Sequence, residues 1–407
     1  MKHDTNHPHH QAPRWVLAAL LAALATLGPF AIDTYLPAFD TMTKELNTSM
    51  LSMQQTLSLF LAAFGFMFLF HGALSDSFGR KPVILWALVV FTIASVGCAL
   101  SRDVQTLILF RILQGLSVGA GMVVGRAMIR DLFSDAEAQK LMSMVTLFFG
   151  LAPAVAPMVG GYLYAHLGWA SIFWFLAALS GGLILLCGRE LHETLPPESR
   201  QSFHPVALMH GYWEVGANIR FLLLSFAVGL NFNAFFLYIV SAPVYLPQHL
   251  GLGPTEYSWL FVPGIAGIMT GAFISGRVAG RWSKEQTVTR AYGFMIVAAV
   301  ANLLYVHLAK PAVPWAIVPI YCYAIGSALA MPSISLMSLD MFPARRGMSA
   351  SLQGFVSGMV NATTAGLISP ALSHSPQWLA VGMVCLMAGG LACWVAYLRS
   401  VRGSRLT

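Results

Sequence analysis

Charge is scarce in this sequence. Asp, Glu, Lys and Arg make up 10% of its 407 residues and hydrophobic residues 57%, where a soluble globular domain carries about 25% charged residues. The mean hydropathy is +0.69. A soluble fold of this length cannot bury that much apolar surface, so lipid is part of the solvent. Acids are scarcer than bases, 16 against 23, for a net charge of +7. The excess does not signal nucleic acid, because the basic residues form no stripe with interleaved aromatics. They sit at the ends of apolar runs instead. Cysteine is sparse as well. Cys98, Cys187, Cys322, Cys385 and Cys393 all lie inside apolar runs without metal-ligand spacing, which excludes a disulfide framework and leaves small packing residues. Long polar stretches are missing apart from one near the middle, so no soluble catalytic domain fits.

What is present is a series of apolar runs long enough to cross a bilayer, which takes about 20 residues each. Spans are predicted near 15–37, 51–75, 82–100, 104–126, 140–165, 169–189, 219–246, 257–280, 289–309, 313–337, 347–370 and 376–398. The first run resembles a signal peptide in isolation, but further spans follow and it reads as an uncleaved helix. Basic residues alternate in the loops. Lys2, Arg14, Arg80, Lys81, Arg126, Arg130, Lys140, Arg189, Arg200, Arg220, Arg277, Arg281, Lys284, Arg290, Arg345, Arg346, Arg399, Arg402 and Arg405 fall on one side, and Lys44, Arg102 and Lys310 on the other. The positive-inside pattern therefore predicts both termini in the cytoplasm.

The polar stretch 190–218 reads as a cytoplasmic linker between two six-helix halves, 15–189 and 219–398, with cytoplasmic tails 1–14 and 399–407. His3, His7, His9 and His10 fit a disordered tail better than a metal tract. Gly79-Arg80 after the second span is echoed by Gly280-Arg281 after the eighth. Glycine pairs four apart (Gly115/Gly119, Gly121/Gly125, Gly267/Gly271, Gly276/Gly280 and Gly354/Gly358) predict close helix crossings.

Of the sixteen acids only Asp33 lies well inside a span. A lone carboxylate there costs at least about 2.5 kcal/mol, so it needs a cavity or a partner. Thr26, Pro29, Asp33 and Pro37 share a helical face, expected to line a wet cavity. Arg111, roughly 11 Å into the fourth span, is the matching cation, with Gln114 and Gly115 after it. A carboxylate that alternates between wet and dry surroundings can carry a proton, which makes Asp33 and Arg111 the proton-coupling candidates. The alternative is a static Asp33–Arg111 pair that orients two helices. Tyr35, Gln114, Asn231, Phe235 and Asn361 are the candidates for a substrate cavity.

Several motifs resemble those of a known family. Gly72-Ala-Leu-Ser-Asp76-Ser-Phe-Gly79-Arg80-Lys81 resembles the signature loop between helices two and three of the major facilitator superfamily. That resemblance implies a cytoplasmic charge latch between the halves made by Asp76 and Arg80, with Asp131 as its second acid. Leu107 to Gly115 looks like the family's fourth-helix motif, whose arginine is tied to proton coupling. Gly150, Pro153, Pro157, Gly160 and Gly161 match the fifth-helix antiporter motif. Ile32 to Ala38, Asp76 to Val83, Arg130-Asp131-Leu132 and Glu193-Thr194-Leu195-Pro196-Pro197-Glu198 are similar to the bicyclomycin-resistance and chloramphenicol-efflux subfamily of drug:proton antiporters. Two departures stand out. Ala25, Thr26 and Leu27 are neutral where some relatives carry a second acid, and Arg277 replaces the loop acid in the second half, which implies a degenerate second latch.

The resemblance thus implies an all-α integral membrane protein of the major facilitator fold, with twelve transmembrane helices in two pseudo-symmetric halves. It is expected to be a monomer in the bacterial inner membrane and not an enzyme. The expected activity is proton-coupled export of small amphipathic molecules, with the proton as coupling ion, no cofactor, no metal and no nucleic acid. A dedicated exporter of one endogenous metabolite, such as a siderophore, nucleoside or amino-acid derivative, stays open. A membrane enzyme or receptor is the remote alternative, since an enzyme needs several ionisable groups converging in the spans.

Overall fold

A computed structural model of the chain describes residues 14–133 and 135–403. The histidine-bearing tail and residues 404–407 lie outside the described residues. Among the described residues, twelve helices are long and apolar enough to cross a membrane. They are α1 (Arg14–Asp33), α2 (Met50–Met67), α3 (Arg80–Ala99), α4 (Val104–Leu132), α5 (Asp135–Leu167), α6 (Ala170–Glu190), α7 (Ile219–Val240), α8 (Ser258–Val278), α9 (Lys284–Leu308), α10 (Val318–Asp340), α11 (Arg346–Thr363) and α12 (Pro376–Gly403). Each predicted span falls on one of them. The number of crossings is even, so the start of α1 and the end of α12 lie at one end of the bundle, the terminal end; the other is called the far end below.

Local sequence sets where these helices start and break. Ser49 caps α2, Asp103 caps α4 and Ser283 with Gln286 forms a capping box on α9, each side chain accepting from a free backbone N–H. Three spans do not end where the apolar run suggests. After Asp33 the first span unwinds, makes a 3₁₀ turn at Leu36–Ala38 and resumes as Phe39–Glu45. Pro37 has no N–H to continue the ladder. Its pseudo-symmetric mate α7 continues through Ala242–Val244 into a π-helical turn at Tyr245–His249, with Pro243 and Pro247 inside it. The span of α11 also passes through a π-helical turn, Thr364–Ile368.

The outer surface is apolar, as lipid solvation requires. Trp86, Leu185, Phe273 and Leu308 are among many large exposed apolar side chains. Small residues mark the helix crossings. A Cβ on Gly115 would meet the Phe60 carbonyl, and Cβ atoms on Gly267 and Gly271 would meet the carbonyls of Tyr321 and Ile325 on α10. The pair Gly276/Gly280 faces open space instead, so that predicted crossing does not exist. Polar side chains join helices within the second half, Asn231 to Tyr292 at 2.9 Å and Asn302 to Tyr238 at 2.6 Å.

The halves meet along α2 and α11. A Cβ on Gly65 would come within 2.8 Å of Gly358. Toward the far end, Ser58 donates to the Ala362 carbonyl at 2.8 Å and Gln55 to the Gly366 carbonyl at 2.7 Å. The stretch between the halves is not wholly irregular, because Pro205–Gly216 forms a helix. Its Tyr212 donates to the Leu69 carbonyl at 2.8 Å, and its Glu214 pairs with Arg345 of the second half. One face of this helix exposes Val206, Met209 and Trp213.

Candidate functional site

Asp33 is the last residue of α1, at the break inside the first span. It is 3% exposed, its Oδ1 is buried with no hydrogen-bond partner, and it takes part in no ion pair among the described residues. Thr34, next to it, turns its N–H and its hydroxyl back onto the Phe30 carbonyl at 3.1 and 2.6 Å, which closes the final turn of α1. The Thr34 carbonyl points at α5, where a Cβ on Gly160 would overlap it. Only glycine lets α5 lie this close to the break. Gly161 faces the other way, and a Cβ there would overlap the Pro254 carbonyl of the second half. The two adjacent glycines thus bring one helix against the acid-bearing break and against the opposite half. Pro153 and Pro157 lie inside α5, and Gly150 faces open space.

Arg111 is fully buried and stacks between two rings, 4.3 Å from the Tyr35 centroid and 4.2 Å from that of Phe60. Its Nη1 donates to the Ala31 carbonyl at 3.0 Å and to Gln114 Oε1 at 2.8 Å. Gln114 in turn donates to Ser95 at 2.8 Å. Arg111 forms no ion pair with Asp33, so the static pair considered from the sequence is absent. The guanidinium reaches the backbone of α1 two residues before the acid instead. It ties α1, α2, α3 and α4 together through rings, a carbonyl and an amide.

The residues predicted to line a substrate cavity mostly sit in packed surroundings. Tyr35 packs on Arg111, Phe39 and Phe173 and its hydroxyl meets Thr56 at 3.3 Å. Gln114 is held by Arg111 and Ser95. Asn231 is held by Tyr292 and lies against Gly390, and Phe235 packs on Gly264. Each of these contacts lies inside one half, where polar side chains hydrogen-bond across neighbouring helices. Asn361 is partly exposed and accepts from Asn233 across α7 and α11 at 2.8 Å.

The loop motif folds around Arg80, which is 8% exposed. Its Nη1 meets the Asp76 carboxylate and, at 2.7 Å, the Ser75 hydroxyl, while Nε donates to Asp131 at 3.2 Å. Gly79 supplies the turn at φ +99°, and Gly72 supplies the carbonyl that Ser75 bonds at 2.8 Å. The sequence did not reveal what holds this cluster from outside. Glu193 accepts from the backbone N–H groups of Arg80 at 3.0 Å and Lys81 at 3.3 Å, capping α3, and Thr194 donates to Asp131 at 2.9 Å. Glu193-Thr194 was legible only as a subfamily resemblance without a role. No residue of the second half is an ion-pair or hydrogen-bond partner of Asp76, Arg80 or Asp131 among the described residues. The cluster seen here joins the first half to the linker rather than to its mate. The second half is not without a counterpart. Asp340, at the end of α10, pairs with Lys284 of α9 at 2.7 Å and with Arg346 of α11 at 3.4 Å. These positions mirror the α4 and α3 sites of Asp131 and Arg80. Arg277, which displaced the loop acid, stacks on Phe273 at 4.8 Å.

The family model of the Major Facilitator Superfamily matches residues 18–365. The chain belongs to that superfamily. It is 30% identical over 385 residues to the uncharacterized MFS-type transporter YdgK of Bacillus subtilis, covering 93% of this chain and 94% of that one. It is 26% identical to a bicyclomycin resistance protein homolog of Haemophilus influenzae, over 97% and 99% of the two chains. Among solved structures, a bacterial homolog of the human lysosomal transporter Spinster, in an inward-facing and unoccupied conformation, shares the fold with a TM-score of 0.68 at 16% identity, over 95% of this chain and 96% of that one. Membership makes this chain a transporter and not an enzyme, and twelve spans make it a multi-pass protein of the bacterial inner membrane.

Proposed function

We propose that this transporter is a proton-coupled exporter of small amphipathic molecules, with both termini in the cytoplasm and Asp33 as the proton carrier. The observation that carries the reading is an acid buried at the break of α1 with no cation beside it. A charged carboxylate in that position is expensive, and taking up a proton removes the expense. The break, the glycine contact at Thr34 and the seam of the two halves lie together, so a change of seam changes what surrounds Asp33. Arg111 acts on the acid through the backbone of α1, as a positioning residue and not as a counter-ion. The Arg80 cluster and the Asp340 cluster hold the terminal ends of the two halves, 15–189 and 219–398, in shape while the seams alternate.

In the cycle that follows from this, Asp33 is protonated from the far end and releases its proton at the terminal end as substrate binds. The membrane potential adds about 2.3 kcal/mol per 100 mV for each net charge moved. The basic residues of the terminal-end loops support a cytoplasmic terminal end. The resistance-protein name of the Haemophilus influenzae relative supports drug-like substrates. The test is uptake of a panel including bicyclomycin and chloramphenicol into inverted vesicles with an imposed pH gradient. Uptake that collapses with an uncoupler is expected; uptake indifferent to the gradient contradicts proton coupling, and no uptake of any panel member contradicts the substrate class.

A further inference from the structure

At the far end the two pseudo-symmetric breaks face each other. The 3₁₀ turn after α1 brings Pro37 and Asp40, and the turn after α7 brings Pro243 and Pro247, to one cavity of about 370 Å³. Tyr164 of α5 closes one side, and Pro254 and Tyr257 of the second half close the other. Its walls therefore belong to both halves, at the seam where Gly161 meets Pro254. The size is that of a pocket for a drug-sized molecule, about 300–1,000 Å³.

The chemistry of the lining selects a ligand. Proline rings and two tyrosines offer flat, rigid apolar faces. Asp40 supplies a carboxylate at the rim, exposed enough to meet a ligand and paired with the equally exposed Lys44 at 2.6 Å. A second carboxylate, Glu256, caps the N–H of the lining Gly253 at 2.8 Å. Two acids face one base, so the rim is net negative. Tyr257 lies within electrostatic reach of Asp40 and Tyr164. Flat rings and a negative rim suit an aromatic organic cation, which gains from both the ring faces and the carboxylate.

We propose that this far-end cavity is a binding site for flat organic cations, separate from the site around Asp33, and that an occupant holds the two halves together there and slows opening of the seam. A ligand that binds only the closed seam shifts the population toward it by its differential affinity. The inference needs alternating access alone and is independent of proton coupling, export direction and the role of Asp33.

The experiment uses the purified full chain and thioflavin T, a flat benzothiazolium that brightens when held rigidly. Saturable binding is expected. Asp40→Asn should weaken it roughly five-fold and Lys44→Gln should tighten it by a similar factor, the scale of one unit charge about 4 Å away at a wetted site. Opposite shifts from two neighbouring exposed residues distinguish ligand charge from general loss of structure. The second readout is maleimide labelling of Gln54→Cys in a background lacking the five native cysteines. Gln54 is buried at the seam beside Ser369, so its labelling reports opening, and saturating thioflavin T should slow it at least three-fold. Binding that ignores both charge changes, or labelling unchanged at saturation, overturns the proposal.

Discussion

A single methyl group on Gly160 tests the architecture of the site most sharply. In a helix, Ala is favoured over Gly by about 1 kcal/mol, so Gly→Ala with free space around it should stabilise α5. Gly150 is such a position, because a Cβ there would meet open space. At Gly160 the added carbon overlaps the Thr34 carbonyl, a backbone atom that cannot rotate aside. Overpacking of this kind costs about 1–3 kcal/mol, and here relief requires α5 to move away from the break that carries Asp33. The helix gain applies to both substitutions, so they should differ by the overpacking cost, about 1–3 kcal/mol, on the same helix. Thermal unfolding of the purified protein should place Gly150→Ala at or above wild type and Gly160→Ala below Gly150→Ala, with transport lost in the second alone. Equal melting and equal transport for the two variants would refute the close approach of α5 to the break.

Other outcomes follow from the same geometry. Arg111→Lys keeps the charge but loses the fork to Ala31 and Gln114 and the flat contact with two rings, worth about 0.5–2 kcal/mol per ring; melting and transport rate should fall. The pH dependence of transport should stay in place, because Arg111 is no counter-ion of Asp33. Glu193→Gln removes a charge from the N-terminus of α3, worth about 0.3–1 kcal/mol, and a small fall in melting temperature is expected, read by differential scanning fluorimetry. The Asp103 carboxyl, in the loop before α4, is held below the usual carboxylate range by the backbone N–H and hydroxyl of Thr106. A depressed acid stabilises above its unfolded value and loses that effect as pH falls through its folded value. The melting gap between wild type and Asp103→Ala should accordingly persist at pH 5 and shrink below about pH 4.

Much of the fold was legible because lipid enforces a simple pattern: an apolar run long enough to span does span, and its ends carry Lys and Arg. The breaks were less legible. Pro37, Pro243 and Pro247 are visible in the sequence, but the helix that resumes at Phe39 is signalled only by chain packing, so the break at Asp33 did not show. The acid itself stood out as the lone carboxylate of the spans. Its relation to Arg111 did not, because charge matching in sequence says nothing about which backbone carbonyl or ring an arginine will reach first. Gln114 and Asn231 were read as cavity residues from their polarity alone. A polar residue on a span announces a need for a partner, and the partner turned out to be a neighbouring helix. Glu193 was hidden by distance, 113 residues from the N–H of Arg80 that it caps. Lys284 and Asp340 were hidden because the second half rebuilds an ion pair at new positions rather than repeating the motif.

The central claim is that Asp33 carries the proton, and uptake into inverted vesicles with and without an imposed pH gradient tests it directly. Asp33→Asn removes the titrating group with almost no change in volume at a site where the acid has no partner to lose. If Asp33 carries the proton, the variant folds, binds substrate and exchanges it across the membrane, yet gains nothing from the gradient. Gradient-driven accumulation by Asp33→Asn at the wild-type level would contradict it.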